Sequence, residues 1–279
     1  MEDSFMRFIL DSGSSIKQEE KAQYGVDILP LKLLFDDKEY LDGIDLSMEE
    51  FYHKLIEEKK FPKTSLPPLE ETQDLVNGYT QAGEDVMIFT ISSEISGTYN
   101  TMCMLFADNP KVRVIDCKMA VGGMRLLLEE AMKYKDESLD FVEAKVKALI
   151  PRIKTMAIPE TLDYLLRGGR LSKAGWMLGS LLSIKPVIGF TDGKVDVLAK
   201  KRGLKQAMQM LADAPTELNC DKEYGIIASY TYTRENLDKV IEMAGEEWKP
   251  YMRVFDNLDP AIACHWGPGA FGFIFVSKE

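Results

Sequence analysis

Four short motifs carry the residue types that could do chemistry. Lys63-Thr64-Ser65 and Ser96-Gly97-Thr98 put hydroxyls beside small residues, Arg167-Gly168-Gly169-Arg170 puts arginines beside paired glycines, and His265-Trp266-Gly267-Pro268-Gly269 puts an imidazole before a turn. Hydroxyls can hold an anionic or carbonyl oxygen, arginine forks match carboxylate or phosphate, and glycines allow close backbone approach. No Walker loop, G-x-S-x-G elbow, H-E-x-x-H or C-x-x-C pair accompanies them, so the common signatures of NTPases, serine hydrolases and zinc proteases are missing. Gly267-Pro268-Gly269-Ala270-Phe271-Gly272 matches G-x-G-x-x-G in form, but too few residues follow for the helix and acidic ribose partner of a dinucleotide site. His53 and His265 are the two histidines of the chain, a poor basis for a histidine-built metal site. Donors without a nucleophile or metal cluster describe a site that holds a small molecule by its polar end.

Each motif also has an ordinary structural reading. Thr64 and Ser96 suit turn or N-cap hydroxyls. Residues 167–170 suit a helix C-cap with solvated arginines. His265 suits a structurally bonded histidine, and Cys264 beside it faces the other way if the two lie on a strand.

The elements that must position these residues read as strand, loop and helix in alternation. Phe5 to Leu10 is a strand ending in the loop Asp11-Ser12-Gly13-Ser14-Ser15. Ile28 to Phe35 is a second strand-like run, with a turn over Asp36 to Tyr40. Ser47-Met48-Glu49-Glu50 is a capping box that opens a helix through Lys59, and another helix spans Leu69 to Ala82. The near-continuous apolar runs Asp85 to Ile91 and Val112 to Asp116 suit strands covered on both faces. Ser96 thus follows the C-terminal end of a strand, the edge where open α/β sheets bind ligands. Helices are expected from Gly122 to Tyr134 and from Ser138 to Lys154. Beyond Met156, strands over 187–190, 194–198 and 225–229 include a hairpin signal at Thr191-Asp192-Gly193. The expected fold is α/β: an N-terminal, mostly parallel-sheet α/β/α domain over residues 1–155, then an α+β domain over 156–279.

Composition narrows the partners. The 279 residues carry a net charge of −11, which lacks the basic footprint of a nucleic-acid partner and of a protein drawn to anionic membranes. No apolar run reaches the roughly 18 residues of a membrane span, and the acidic start Met1-Glu2-Asp3-Ser4 lacks the basic opening of a signal peptide. The four cysteines form no obvious disulfide framework, so a cytoplasmic location is expected. The 15 methionines suit irregular core gaps or flexible apolar ligands.

In this order the motifs resemble the DegV family of bacterial fatty-acid-binding proteins. The match begins at Asp11-Ser12-Gly13-Ser14, Pro30-Leu31, Tyr40-Leu41-Asp42-Gly43 and Lys63-Thr64-Ser65. It continues through Ile91 to Tyr99, Val114-Ile115-Asp116, Leu162 to Ser172, Lys185-Pro186-Val187, Lys201-Arg202-Gly203 and His265 to Gly269. The resemblance implies a non-catalytic protein with a long-chain fatty acid such as palmitate, stearate or oleate buried between or within two domains, and with no cofactor or metal. It implies that Thr64 and Ser96 hold the acyl carboxylate, with Ser65 and Gly97 beside them and Arg170 and His265 near the head group. Ile95, Met119 and Met177 are offered as tail-lining residues on apolar character alone. The resemblance further implies an acyl carrier that presents its cargo to a separate fatty acid kinase for phospholipid synthesis. An enzyme acting on a small anionic substrate, with Arg170, His265 and Asp11 as clamp, acid-base group and metal ligand, is the alternative; a lipid-sensing regulatory module is another. The chain departs from the family pattern at Cys117, at Thr101-Met102-Cys103-Met104 and at Leu66-Pro67-Pro68.

Overall fold

A computed structural model describes residues 6–171, 184–255 and 257–278. It divides into two compact units, Met1–Ile150 with Asp259–Ala261, and Pro151–Leu258 with Ile262–Glu279. Among the described residues no helix is long and apolar enough to cross a membrane.

The first unit runs β1 (Met6–Asp11), α1 (Gln18–Tyr24), β2 (Val26–Leu29), β3 (Lys32–Phe35), β4 (Lys38–Leu41), α2 (Met48–Tyr52), β5 (Lys63–Ser65), α3 (Leu69–Gln81), β6 (Asp85–Thr90), α4 (Thr98–Leu105), β7 (Val112–Asp116), α5 (Gly122–Met132) and α6 (Leu139–Leu149). Four strands pair in the order β2-β1-β6-β7, all parallel. Val86, Met87, Ile88 and Phe89 of β6 are fully buried, as a parallel strand covered by helices on both faces requires. Val76 of α3 and Met102 of α4 pack with Ile9 and Ile88 on one face, while α5 and α6 lie against β6. The strand order reverses between β1 and β6, so the loops after these two strands open the crevice where such sheets bind ligands.

The run Ile28 to Phe35 is not one strand. Pro30-Leu31 breaks it, because proline offers no amide to a ladder. Val26–Leu29 joins β1, whereas Lys32–Phe35 pairs with β4 and β5 in a separate antiparallel sheet ordered β4-β3-β5. The turn expected over 36–40 is shorter than that, since Lys38 already begins β4. The capping box forms: Glu50 N donates to Ser47 Oγ at 3.2 Å and Ser47 N donates to Glu50 at 3.1 Å. That helix continues past Tyr52 as a wider π turn over His53–Glu57. The helix after Ser138 ends at Leu149 rather than Lys154, because Pro151 stops it and Ile153 opens the next strand.

The segment Asp259–Ala261 completes the first unit. Lys17 forms an ion pair with Asp259, Asp259 N donates to Ser15 Oγ at 3.3 Å, and Ala261 N donates to Asp42 Oδ1 at 2.9 Å. Asp42 is buried and its Oδ2 has no hydrogen-bond partner. Burial, followed by the charge of Asp259, pushes the Asp42 carboxyl up to about 8. The folded state therefore holds a proton that the unfolded chain releases near pH 4, and this contribution is lost as pH rises toward 8. Asp42→Asn keeps the acceptor for Ala261 and removes the charge. Its melting temperature is expected to match the wild type near pH 4 and to exceed it increasingly up to pH 8. Parallel melting curves across that range would contradict this assignment.

The second unit runs β8 (Ile153–Ile158), α7 (Asp163–Arg167), β9 (Ile184–Thr191), β10 (Lys194–Arg202), α8 (Gly203–Glu217), β11 (Ile226–Tyr230), α9 (Glu235–Ala244), β12 (Met252–Phe255), α10 (Pro260–Trp266, whose first two residues belong to the first unit) and β13 (Phe271–Val276). Its six strands pair as β10-β9-β8-β13-β11-β12, antiparallel except for β11 with β12. Asp192-Gly193 turns β9 into β10 with both residues in the left-handed region, φ 49° and 84°, the geometry a two-residue hairpin favours. Phe271, Phe273 and Phe275 of β13 pack with Ala207 and Leu211 of α8 and Leu237 and Val240 of α9. This is the α+β arrangement that the sequence implies.

Candidate functional site

The loop from Ile91 to Gly97 leaves β6 at the strand-order switch. Its amides can be followed one by one. Ile91 N donates to Asp11 Oδ2 at 2.8 Å, Ser92 N to Met119 O at 3.0 Å and Ser93 N to Asp116 Oδ1 at 3.1 Å. Glu94 N donates to Ser92 Oγ at 3.3 Å, and Ile95 N and Ser96 N both donate to Ser92 O at 3.1 Å. Gly97 N donates to no acceptor among the described residues. Ser96 Oγ sits 2.9 Å from Thr98 Oγ1 and accepts from Thr98 N at 3.3 Å. Gly97 caps α4 at its N-terminus. A partly exposed hydroxyl, an uncommitted N–H and the positive end of a helix thus stand together, a set suited to an anionic oxygen.

Thr64 is half-buried in the middle of β5 and pairs with Leu33 of β3. Its hydroxyl therefore rides on a strand of the small sheet rather than on a loop. Ser65 is exposed at the end of that strand. The chain then brings Leu66 over the other hydroxyl motif, where a Cβ at Gly97 would stand 3.8 Å from Leu66 Cδ2. The Thr64 segment and the Ser96 turn are neighbours within the first unit.

Of the three proposed tail residues, Ile95 is partly exposed in the loop and Met119 is buried. Met119 packs so closely on Gly123 of α5 that a side chain at Gly123 would overlap its sulfur. Met177 lies outside the described residues.

In the second unit, α7 ends through the paired glycines. Gly168 N donates to Tyr164 O at 2.9 Å and Gly169 N to Leu166 O at 3.1 Å, with Gly169 at φ 70°. This is the C-cap reading, and it gives the glycines a structural reason to be there. His265 belongs to a helix, α10, not a strand, so the two-faced argument about Cys264 and His265 does not apply; Cys264 is simply buried. The imidazole lies on Gly168, where any Cβ would overlap Nδ1. Gly267, at φ 74°, packs on the Tyr164 ring in the same way. The structure therefore joins the 167–170 and 265–269 motifs. Burial, then the positive charge of Arg170, pushes His265 down to about 3. At physiological pH it is a neutral ring, not a cation.

Two residues that serve this region, Asp116 and Arg125, are given no role in the sequence reading, and a third, Asp11, is given a different one. Asp116 takes the Ser93 N–H, the Ser93 hydroxyl and the Lys118 N–H, and pairs with the Lys118 ammonium. Burial opposes its ionisation, but Lys118 and Ser93 outweigh it and hold the carboxyl below its usual range. Arg125, on α5, is buried, donates to the carbonyls of Ser14 and Ser15, and forms a two-pronged ion pair with Glu20 at 2.9 and 3.0 Å. Arg125 stands within the apolar run Met124 to Leu128 of α5, and that was the available signal. Asp11, considered as a metal ligand, is fully buried and spends both oxygens on the Gly13 and Ile91 amides. Among the described residues no three His, Cys, Asp or Glu side chains are grouped to hold a metal ion.

Residues 6–278 match the family described as "Uncharacterised protein, DegV family". A DegV domain-containing protein of Caldanaerobacter subterraneus is 31% identical over 277 residues, covering 97% of this chain and 98% of its own. The crystal structure of a fatty acid binding DegV family protein from Streptococcus agalactiae superposes with a TM-score of 0.89 at 27% identity, over 99% of this chain and 100% of the other. A DegV family protein from Thermus thermophilus, whose structure is described for its fatty acid binding, gives 0.84 at 26% identity, over 98% and 100%.

Proposed function

The chain belongs to the DegV family, and on that footing we propose that it binds one long-chain fatty acid such as palmitate, stearate or oleate. Thr64 and Ser96 hold the carboxylate, with Ser65 and the Gly97 N–H beside them, and the tail is buried in apolar side chains. The observation that carries the reading is the turn at the start of α4, where the Ser96 hydroxyl and the uncommitted Gly97 N–H stand at the positive end of the helix. The fatty acids bound by the solved relatives support the same cargo.

A C16 tail has about 14 methylenes, and at about 0.8 kcal/mol each its burial supplies roughly 11 kcal/mol before the costs of binding. A hydrogen bond to a charged acceptor contributes about 1.5–3 kcal/mol. The tail supplies affinity, and the hydroxyls supply orientation and selectivity for an acid. Arg170 and His265 are proposed as further head-group residues, His265 acting as a neutral donor. We assign the protein no catalytic step of its own. Donors that hold a carboxylate without a tight ion pair leave it open to a partner, in keeping with a cytoplasmic carrier that presents its fatty acid to a separate kinase.

Thr64→Ala and Ser96→Ala should each weaken palmitate binding about 10- to 100-fold while leaving 1-hexadecanol, which has no carboxylate, nearly unaffected. Titration of delipidated protein with both ligands tests this. Equal losses for acid and alcohol would contradict the head-group assignment, and failure of the wild type to take up palmitate at all would sink the fatty-acid reading.

A further inference from the structure

The Ser96 hydroxyl and the Gly97 N–H can serve a carboxylate only if the loop carrying them is held still, and two acidic side chains hold it from opposite sides. β6 is flanked by β1 and β7. Asp11 closes β1 and Asp116 closes β7. Asp11 is fully buried; Oδ1 accepts from Gly13 N at 2.9 Å and Oδ2 from Ile91 N at 2.8 Å, so one carboxylate ties the loop after β1 to the first residue after β6. Asp116 takes the Ser93 N–H and hydroxyl two residues further on, and the Lys118 N–H and ammonium from the loop that follows β7. Beyond these two anchors the chain closes on itself through Ser92, whose carbonyl and hydroxyl accept from Glu94, Ile95 and Ser96.

We propose that Asp11 and Asp116 are positioning residues for the head-group turn, fixing Ile91 and Ser93 so that Ser96 and Gly97 face the ligand carboxylate. The inference rests on the fatty-acid reading above and extends it to residues that touch no ligand. Neither aspartate is replaceable by asparagine without loss, because each accepts on both carboxyl oxygens and an amide has one acceptor oxygen.

The variants are Asp11→Asn and Asp116→Asn, both close in shape to the wild type, so that if one fails to fold the other still decides. Amide hydrogen exchange over residues 91–97 is measured first, in ligand-free protein. Palmitate and 1-hexadecanol affinities are then measured, with Ser96→Ala and the Asp11→Asn/Ser96→Ala double variant alongside. The expected result is exchange about tenfold faster or more across 91–97, and a palmitate-over-hexadecanol preference reduced about tenfold or more. The double variant should lose no further preference than Ser96→Ala alone, since both changes act through one hydroxyl. Unchanged exchange overturns the proposal, and so does faster exchange with the preference for the acid retained. If Ser96→Ala itself keeps that preference while Asp11→Asn accelerates exchange, the head-group role of Ser96 fails and the anchoring of the loop stands.

Discussion

Glu20→Ala is expected to lower the free energy of unfolding by about 3 kcal/mol, the low end of the cost of breaking a buried ion pair. The Arg125 side chain is 2% exposed and that of Glu20 is 26% exposed. Removing the carboxylate takes the Glu20 charge away from a guanidinium held in the interior, with the neutral Ser14 and Ser15 carbonyls among its remaining acceptors. Glu20 keeps some contact with water, which places the loss at the low end. Burial raises the Glu20 carboxyl, but the Arg125 bond and the Lys17 N–H outweigh it and leave it below its usual range. Its contribution is thus present at neutral pH and fades as pH falls through the acid range. The double change Glu20→Ala/Arg125→Met removes both charges and should recover most of the lost stability. Urea denaturation of the three proteins separates the cases. A double variant as unstable as Glu20→Ala would mean that the packing of Arg125, not its charge, carries the cost.

Gly168→Val is the second large effect. The valine Cβ would overlap His265 Nδ1, so either the helix end or the imidazole has to move, at about 2–3 kcal/mol for an overpacked site. The ring is the lighter of the two to displace. In the wild type, His265 stays neutral down to about pH 3, and stability falls as pH drops below the histidine's ordinary value of 6.5, where the unfolded chain gains a proton that the folded one refuses. With the ring pushed into water, its titration should return toward the ordinary range and that acid-side loss should shrink. The chain has two histidines, and His53 is exposed, so two imidazole resonances followed against pH suffice. If His265 in the variant still titrates near pH 3, the ring has kept its place and the strain has gone elsewhere.

What could be read in the sequence was whatever local chemistry dictates. The apolar run of β6 and the Asp192-Gly193 hairpin each state their structure within a few residues. The capping box at Ser47 does the same for its helix start, and the pairing of strand end with hydroxyl motif at Ser96 followed from them. What depended on distant partners was not legible. Pro30-Leu31 divides two strands that belong to different sheets, and only the sheets reveal it. Thr64 reads as a loop residue beside two prolines, yet β3 draws it into a strand. His265 reads as a strand residue because the Gly267-Pro268-Gly269 turn masks the short helix before it. Asp11, Asp116 and Arg125 each engage groups brought from far along the chain, and of the three Arg125 alone, set in an apolar run, carries a local sign of it.

The return of Asp259–Ala261 to the first unit has a consequence for how the protein is made. Synthesis proceeds from the N-terminus, and domains commonly fold as they emerge. Here the first unit leaves the ribosome with Lys17, Ser15 and Asp42 still waiting for partners that come more than two hundred residues later. Its last hydrogen bonds form only after nearly the whole of the second unit has been translated. The unit begun first is the one that cannot be finished until the end.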